Sequence, residues 1–171
     1  MDKRNARLSI QEIALFGVLG AVTFALQVVM APLPNIEPVS LLVMVFAVVF
    51  GWKCLYPVYV FVVMEILFYG ISTWNVYYLY VWTVLALIAI LLRKSTHPFA
   101  WALLSGVFGL FFGALCGIVD IFIGGFAYAA SKWVSGIPFD LLHCGGNFGI
   151  ALIMFKPLRN LLEKLYRRTN R

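Results

Sequence analysis

The stretch Val39-Ser-Leu-Leu-Val-Met-Val-Phe-Ala-Val-Val-Phe50, Gly51-Trp52-Lys53, Cys54-Leu-Tyr-Pro-Val-Tyr-Val-Phe-Val-Val-Met-Glu-Ile-Leu-Phe-Tyr69 decides the count of helices. Read as one apolar segment it is a single long helix; read with 51–53 as a hinge it is two. Further apolar runs occupy 8–30, 76–92, 99–123 and 139–155. With the hinge, all but one of the 13 Lys and Arg residues fall on one side of a membrane. These are Lys3, Arg4, Arg7, Lys53, Arg93, Lys94, Lys156, Arg159, Lys164, Arg167, Arg168 and Arg171, with Lys132 alone on the other side. Without it, Arg93, Lys94 and the basic tail would lie outside, against the positive-inside rule. The sequence therefore predicts an all-α, polytopic membrane protein of six transmembrane helices with cytoplasmic N- and C-termini.

Composition agrees. The hydrophobic share is 63% and the mean hydropathy +0.96, far above a soluble domain. Six spans use up nearly all of the 171 residues, so 1–171 reads as one integral-membrane domain with no soluble catalytic module. The first apolar run is too long for a signal-peptide core and opens a series of further spans. The net charge of +6 sits at helix ends and in the tail 156–171, where it meets anionic headgroups; nucleic acid is not an expected partner. Cys54, Cys116 and Cys144 are isolated and lack CxxC spacing, so they read as small packing residues. No P-loop, HExxH or GxSxG pattern is present. Neither an enzyme nor a cofactor or metal protein is expected.

The spans are unequal. Twelve residues at about 1.5 Å each cover roughly 18 Å of a hydrocarbon core about 30 Å thick, so the second helix must tilt, thin the bilayer or hide behind neighbours. The run 99–123 is rich in small residues (Gly106, Gly109, Gly113, Ala114, Gly117) that allow close helix approach. The outer connections, 32–38 and 124–138, are the most marked by Pro and Gly, whereas 51–53 and 93–98 are terse. Elaboration on the outside suggests capture there.

Several residues are ones that lipid would not select. Gly17, Ala21 and Ala25 share a helix face at four-residue spacing, either to pack within the bundle or to dock a separate subunit. Glu37, Glu65, Asp120 and Asp140 lie in or beside the membrane region and need partners or a cavity. Glu37 and Asp140 also suit helix starts, as caps. Asp140, His143 and Asn147 form a polar stripe at i, i+3 and i+7. Facing it could stand an aromatic ladder, Trp74, Tyr78 and Trp82, which reads either as an interfacial belt or as a platform for a ring-containing molecule. Trp133 reads as a lid or an anchor, and His97 as solvated surface.

The chain resembles the substrate-specificity (S) components of energy-coupling factor transporters, a class of ABC importer. The resemblance rests on Gly17-x-x-x-Ala21-x-x-x-Ala25, similar to the family's Ala-x-x-x-Ala docking motif, and on Pro34-Asn35-Ile36-Glu37-Pro38. It rests also on Tyr78-Leu-Tyr-Val-Trp82 and on Gly136-Ile-Pro-Phe-Asp-Leu-Leu-His143 with Asn147. It implies a multi-pass protein of a bacterial plasma membrane that captures a vitamin-type micronutrient near the outer surface, in a pocket made by the first outer loop and the fourth to sixth helices; the polar stripe and the aromatic ladder put Glu37, Trp74, Tyr78, Trp82, Asp140, His143 and Asn147 around it. It further implies partners: a membrane scaffold subunit, which would dock on Gly17, Ala21 and Ala25, and two ATP-binding cassette ATPases. Metal-specific members carry an N-terminal Met-His motif where this chain has Met1-Asp2-Lys3, so a metal ion is not the expected cargo. The resemblance leans toward cobalamin-type members, with pantothenate, a pyridoxine-like compound or a queuosine precursor behind. The alternative from another class is an autonomous proton- or ion-coupled permease using Glu65 and Asp120 as a relay; a structural subunit without a ligand is the third.

Overall fold

The structure, a computed structural model, describes residues 8–33 and 36–169. Lys3, Arg4, Arg7 and Arg171, the Met1-Asp2-Lys3 start, and Pro34 and Asn35 lie outside the described residues. Every regular element among the described residues is helical: α1 (Ile10–Met30), α2 (Val39–Phe50), α3 (Leu55–Tyr69), α4 (Thr73–Leu91), α5 (Pro98–Leu110) and α6 (Phe112–Thr169). Four helical stretches are long and apolar enough to cross a membrane: Ile10–Met30, Val39–Tyr69, Thr73–Leu91 and Pro98–Arg168. Large apolar side chains cover the outside, with Ile10, Leu67, Leu91 and Phe122 all exposed. A lipid solvent accounts for such a surface.

The helix starts follow from local chemistry. Ser9 and Glu12 form a reciprocal capping box at α1. The Ser72 N–H donates to Asn75 Oδ1 at 2.6 Å at the start of α4, and Pro98 opens α5, where its missing N–H is not needed. Between α2 and α3 the chain turns at Gly51, whose φ of +58° few residues with a side chain adopt, and then through a short 3-10 segment, Gly51–Cys54.

Contacts show that this turn is a reversal. Lys53 Nζ lies 2.6 Å from Glu12 Oε1, the Phe16 and Tyr56 rings stack at 5.9 Å, and the Phe24 and Phe68 rings meet at 5.4 Å. Helices α1 and α3 therefore run parallel, and α2, whose Phe50 reaches back to Phe16, runs against both. Tyr59 bonded to Leu79 and Thr83 sets α4 antiparallel to α3.

Helix α5 continues into α6 across Phe111, with i→i−4 hydrogen bonds at Phe111 and Leu115. The non-helical residue in α6 is Gly125, at φ +81° and ψ +175°, where the chain turns back. The expected irregular connection over 124–138 is thus corrected. Helix resumes after Gly125, runs through Pro138 and the apolar run at 139–155, and carries the basic tail to Thr169. One glycine suffices for the reversal, and Ala- and Lys-containing 127–132 has ordinary helix-forming residues on its far side.

The short α2 is covered by its neighbours: Val39, Ser40, Leu41, Val43, Met44, Val45, Phe46 and Ala47 are all buried. It hides behind other helices. Close approach uses glycines on facing helices: a Cβ at Gly109 would lie 2.8 Å from the His143 backbone, and one at Gly20 would lie 2.6 Å from Val60 and 2.8 Å from the Pro57 carbonyl. Gly20 is thus the residue that seats α1 on α3. Gly17 has nothing within 4 Å, Ala21 is half-buried and Ala25 is exposed. Gly20→Leu should lower stability by about 1–3 kcal/mol, since an overpacked contact must shift backbone; Gly17→Leu should leave it unchanged. Thermal unfolding in detergent compares the two.

Candidate functional site

The ends of α1, α2, α3 and α4 farthest from the basic tail, together with the Gly125 turn, enclose a cavity of about 620 Å³. Of the seven residues expected to bind substrate, Glu37, Trp74, Tyr78, Trp82, Asp140 and His143 line it. Asn147 does not. It stands one turn further down α6, and its Nδ2 donates to Glu37 Oε1 at 3.3 Å and to Ser40 Oγ at 3.0 Å.

Glu37 is the hub of this end. Its Oε2 accepts from the Ser40 N–H at 3.0 Å, which caps α2. Its Oε1 pairs with His143 Nε2 at 3.1 Å and also accepts from the Ser40 hydroxyl. Capping and cavity lining, two separate readings of Glu37 in the sequence, are held by one carboxylate. Burial would raise its pKa, but hydrogen bonds from His143 and Ser40 outweigh that and hold it below the usual carboxylate range.

Asp140 is no helix cap, because α6 already runs through it. Its Oδ1 instead accepts the Gly113 N–H at 3.1 Å. A Cβ at Gly113 would fall 2.6 Å from Asp140 Oδ2, so the bare glycine makes room for the carboxylate.

The aromatic ladder is continuous. Ring centroids lie 6.3 Å apart from Trp74 to Tyr78 and 5.4 Å from Tyr78 to Trp82. It then turns across the bundle, from Trp82 to Phe112 at 5.8 Å and from Phe112 to His143 at 4.9 Å. Trp74 is exposed at the rim, while Trp82 is buried at the bottom. An interfacial belt would keep its polar atoms wet; Trp82 Nε1 is instead buried with no hydrogen-bond partner. Trp133 lines the same cavity from α6.

The sequence reading missed the clamp on the other wall. Lys132 Nζ lies 2.8 Å from Asp120 Oδ1 and 2.8 Å from the Tyr77 hydroxyl, which itself donates to Asp120. The signal was present: Asp120, inside an apolar run, and Lys132 stand on either side of the Gly124-Gly125 pair. Gln27, donating to the Tyr78 hydroxyl at 3.2 Å, was also passed over. No group of three His, Cys, Asp or Glu residues arranged for a metal ion occurs among the described residues.

Asn147→Ala should cost about 1–3 kcal/mol of stability, because Ser40 and Glu37 are left short of a buried donor. Asn147→Asp, which adds a charge beside Glu37, should cost more. Thermal unfolding of both variants in detergent measures this. Compared with protein-family models, curated proteins and solved structures, the chain finds no match.

Proposed function

We propose that this chain is a substrate-capturing S component of an energy-coupling factor importer: six membrane spans, both termini in the cytoplasm, and a binding cavity facing outward. It takes up a vitamin or related micronutrient in a bacterial plasma membrane and passes it inward through a scaffold subunit and two ATP-binding cassette ATPases. The observation that carries this reading is the cavity itself, about 620 Å³ lined by Tyr78, Trp82, Glu37 and Asp140, a set of rings with a few convergent polar groups. That volume suits a drug-sized molecule better than a corrinoid, so among vitamin cargoes we favour the smaller ones over cobalamin.

Two further features support the reading. Lys53, Arg93, Lys94 and the tail cations Lys156, Arg159, Lys164, Arg167 and Arg168 gather at the bundle end away from the cavity, and Lys132 stands at the cavity end. Under the positive-inside rule the cavity then opens outward. The small-residue face of α1 (Gly17, Ala21, Ala25) has open space at Gly17, where an added Cβ would meet nothing within 4 Å, and Ala25 is exposed, whereas Gly20 contacts α3. The face remains available to a partner helix.

The permease alternative would need Glu65 and Asp120 to pass protons between them. Asp120 is tied to Lys132 and Tyr77, and no hydrogen bond among the described residues leads from it to Glu65.

Gly17→Leu and Ala21→Leu should abolish uptake in cells carrying the ATPases and scaffold while leaving substrate binding by the isolated chain intact. Normal assembly and transport by both variants would reduce the stripe to a lipid-facing surface. In a cysteine-free background, Ile71→Cys should react with an impermeant thiol reagent on intact cells and Arg168→Cys only after lysis. The reverse pattern would overturn the orientation.

A further inference from the structure

We propose, resting on the reading of this cavity as a capture site, that its ligand is a planar nitrogen heterocycle bearing a positive charge, with Glu65 and Asp140 as its counter-ions.

Four carboxylates line the cavity, and two of them are already answered. Glu37 is bonded to His143, Ser40 and Asn147, and Asp120 to Lys132 and Tyr77. Glu65 on α3 is left, and Asp140 on α6 is answered on Oδ1 alone, by the Gly113 N–H. They are 7% and 5% exposed, Glu65 Oε1 and Asp140 Oδ2 have no hydrogen-bond partner, and among the described residues neither forms an ion pair with Lys or Arg. An ionised carboxylate held away from water without a partner is costly, so each is a vacancy for a donor or a cation. Between the two, the rings of Tyr78, Trp82, Phe112 and His143 follow one another at 5.4, 5.8 and 4.9 Å. Their planes are inclined to one another by 65°, 47° and 62°, so faces and edges alternate along one wall, and aromatic faces attract cations. Trp82 Nε1, the third unpartnered polar atom here, offers one N–H to a ring acceptor. An anionic ligand would meet two unbalanced carboxylates, with only Lys132 to answer it, and Lys132 is held by Asp120 and Tyr77.

The test uses the full-length purified chain in detergent and five probes: pyridoxamine and thiamine as cations, pyridoxine as the neutral counterpart, and 4-pyridoxate and nicotinate as anions. Thermal shift ranks them, calorimetry gives affinities, and mass spectrometry identifies any small molecule that co-purifies. At least one cationic probe should stabilise the protein and bind ten times or more tightly than the neutral and anionic probes. Glu65→Gln and Asp140→Asn should each weaken that probe at least tenfold while raising the melting temperature of the empty protein, since each replaces a buried carboxyl that lacks a full set of donors. A tighter neutral or anionic probe, or cation binding unchanged in both variants, overturns the charge assignment and leaves the capture reading standing. If no probe binds, the charge of a co-purifying compound decides: a cation supports the assignment and an anion overturns it. No binding by any probe together with no co-purifying compound overturns the capture reading as well.

Discussion

A carboxylate placed where water is scarce must be answered by donors, and at Glu37 that requirement joins three parts of the chain. Its two oxygens collect the start of α2 through Ser40 and the middle of α6 through His143 and Asn147, more than a hundred residues away. The geometry is mutually enforcing. Glu37 can cap α2 through the Ser40 N–H only if the helix begins where it does, and His143 can reach Glu37 only if α6 lies alongside α2. The remaining polar groups at this end inherit their positions from that junction. With His143 fixed, Asp140 one turn earlier falls opposite Gly113, and Phe112 meets the His143 ring edge to face. In a low-dielectric setting such a network stabilises one arrangement over its rivals chiefly because any rival would strand several partners at once.

Apolar packing does the complementary work. Helices meet closely where glycine removes the side chain, at Gly20 against Val60, Gly106 against Phe148 and Gly109 against the His143 backbone. In lipid no hydrophobic gain separates helix–helix from helix–lipid contact, so shape complementarity and dispersion decide which faces associate. This explains the contrast between the two faces of α1: Gly20 is wedged against α3, whereas Gly17 has no neighbour.

Much of this was legible in the sequence because membrane constraints are written in composition. Gly51 beside Lys53 separated α2 from α3, and the glycine-rich run at 99–123 announced close packing. The polar stripe on α6 and the ladder on α4 follow helical spacing, so their six members could be grouped on faces before any tertiary contact was known. What spacing does not encode is depth and pairing. Asn147 shares the stripe with Asp140 and His143, yet one further turn takes it behind Glu37 instead of into the cavity. The 124–138 segment looked like a loop because Gly and Pro weigh heavily in local reading. A single positive φ at Gly125 makes the turn, and tertiary packing tolerates Pro138 within the helix that follows. The pairing of Lys132 with Asp120 escaped notice for the same reason: only a helix there aims the lysine back at Asp120.

The brevity of α2 has a consequence for how the protein is made. At 12 residues it is too short to be held securely by lipid alone, and its burial comes from residues on both sides of it in the chain. Its Ser40 is completed by Asn147, which is synthesised more than a hundred residues later. The burial of α2 and the pairing of its first turn are therefore complete only once the C-terminal helix has docked.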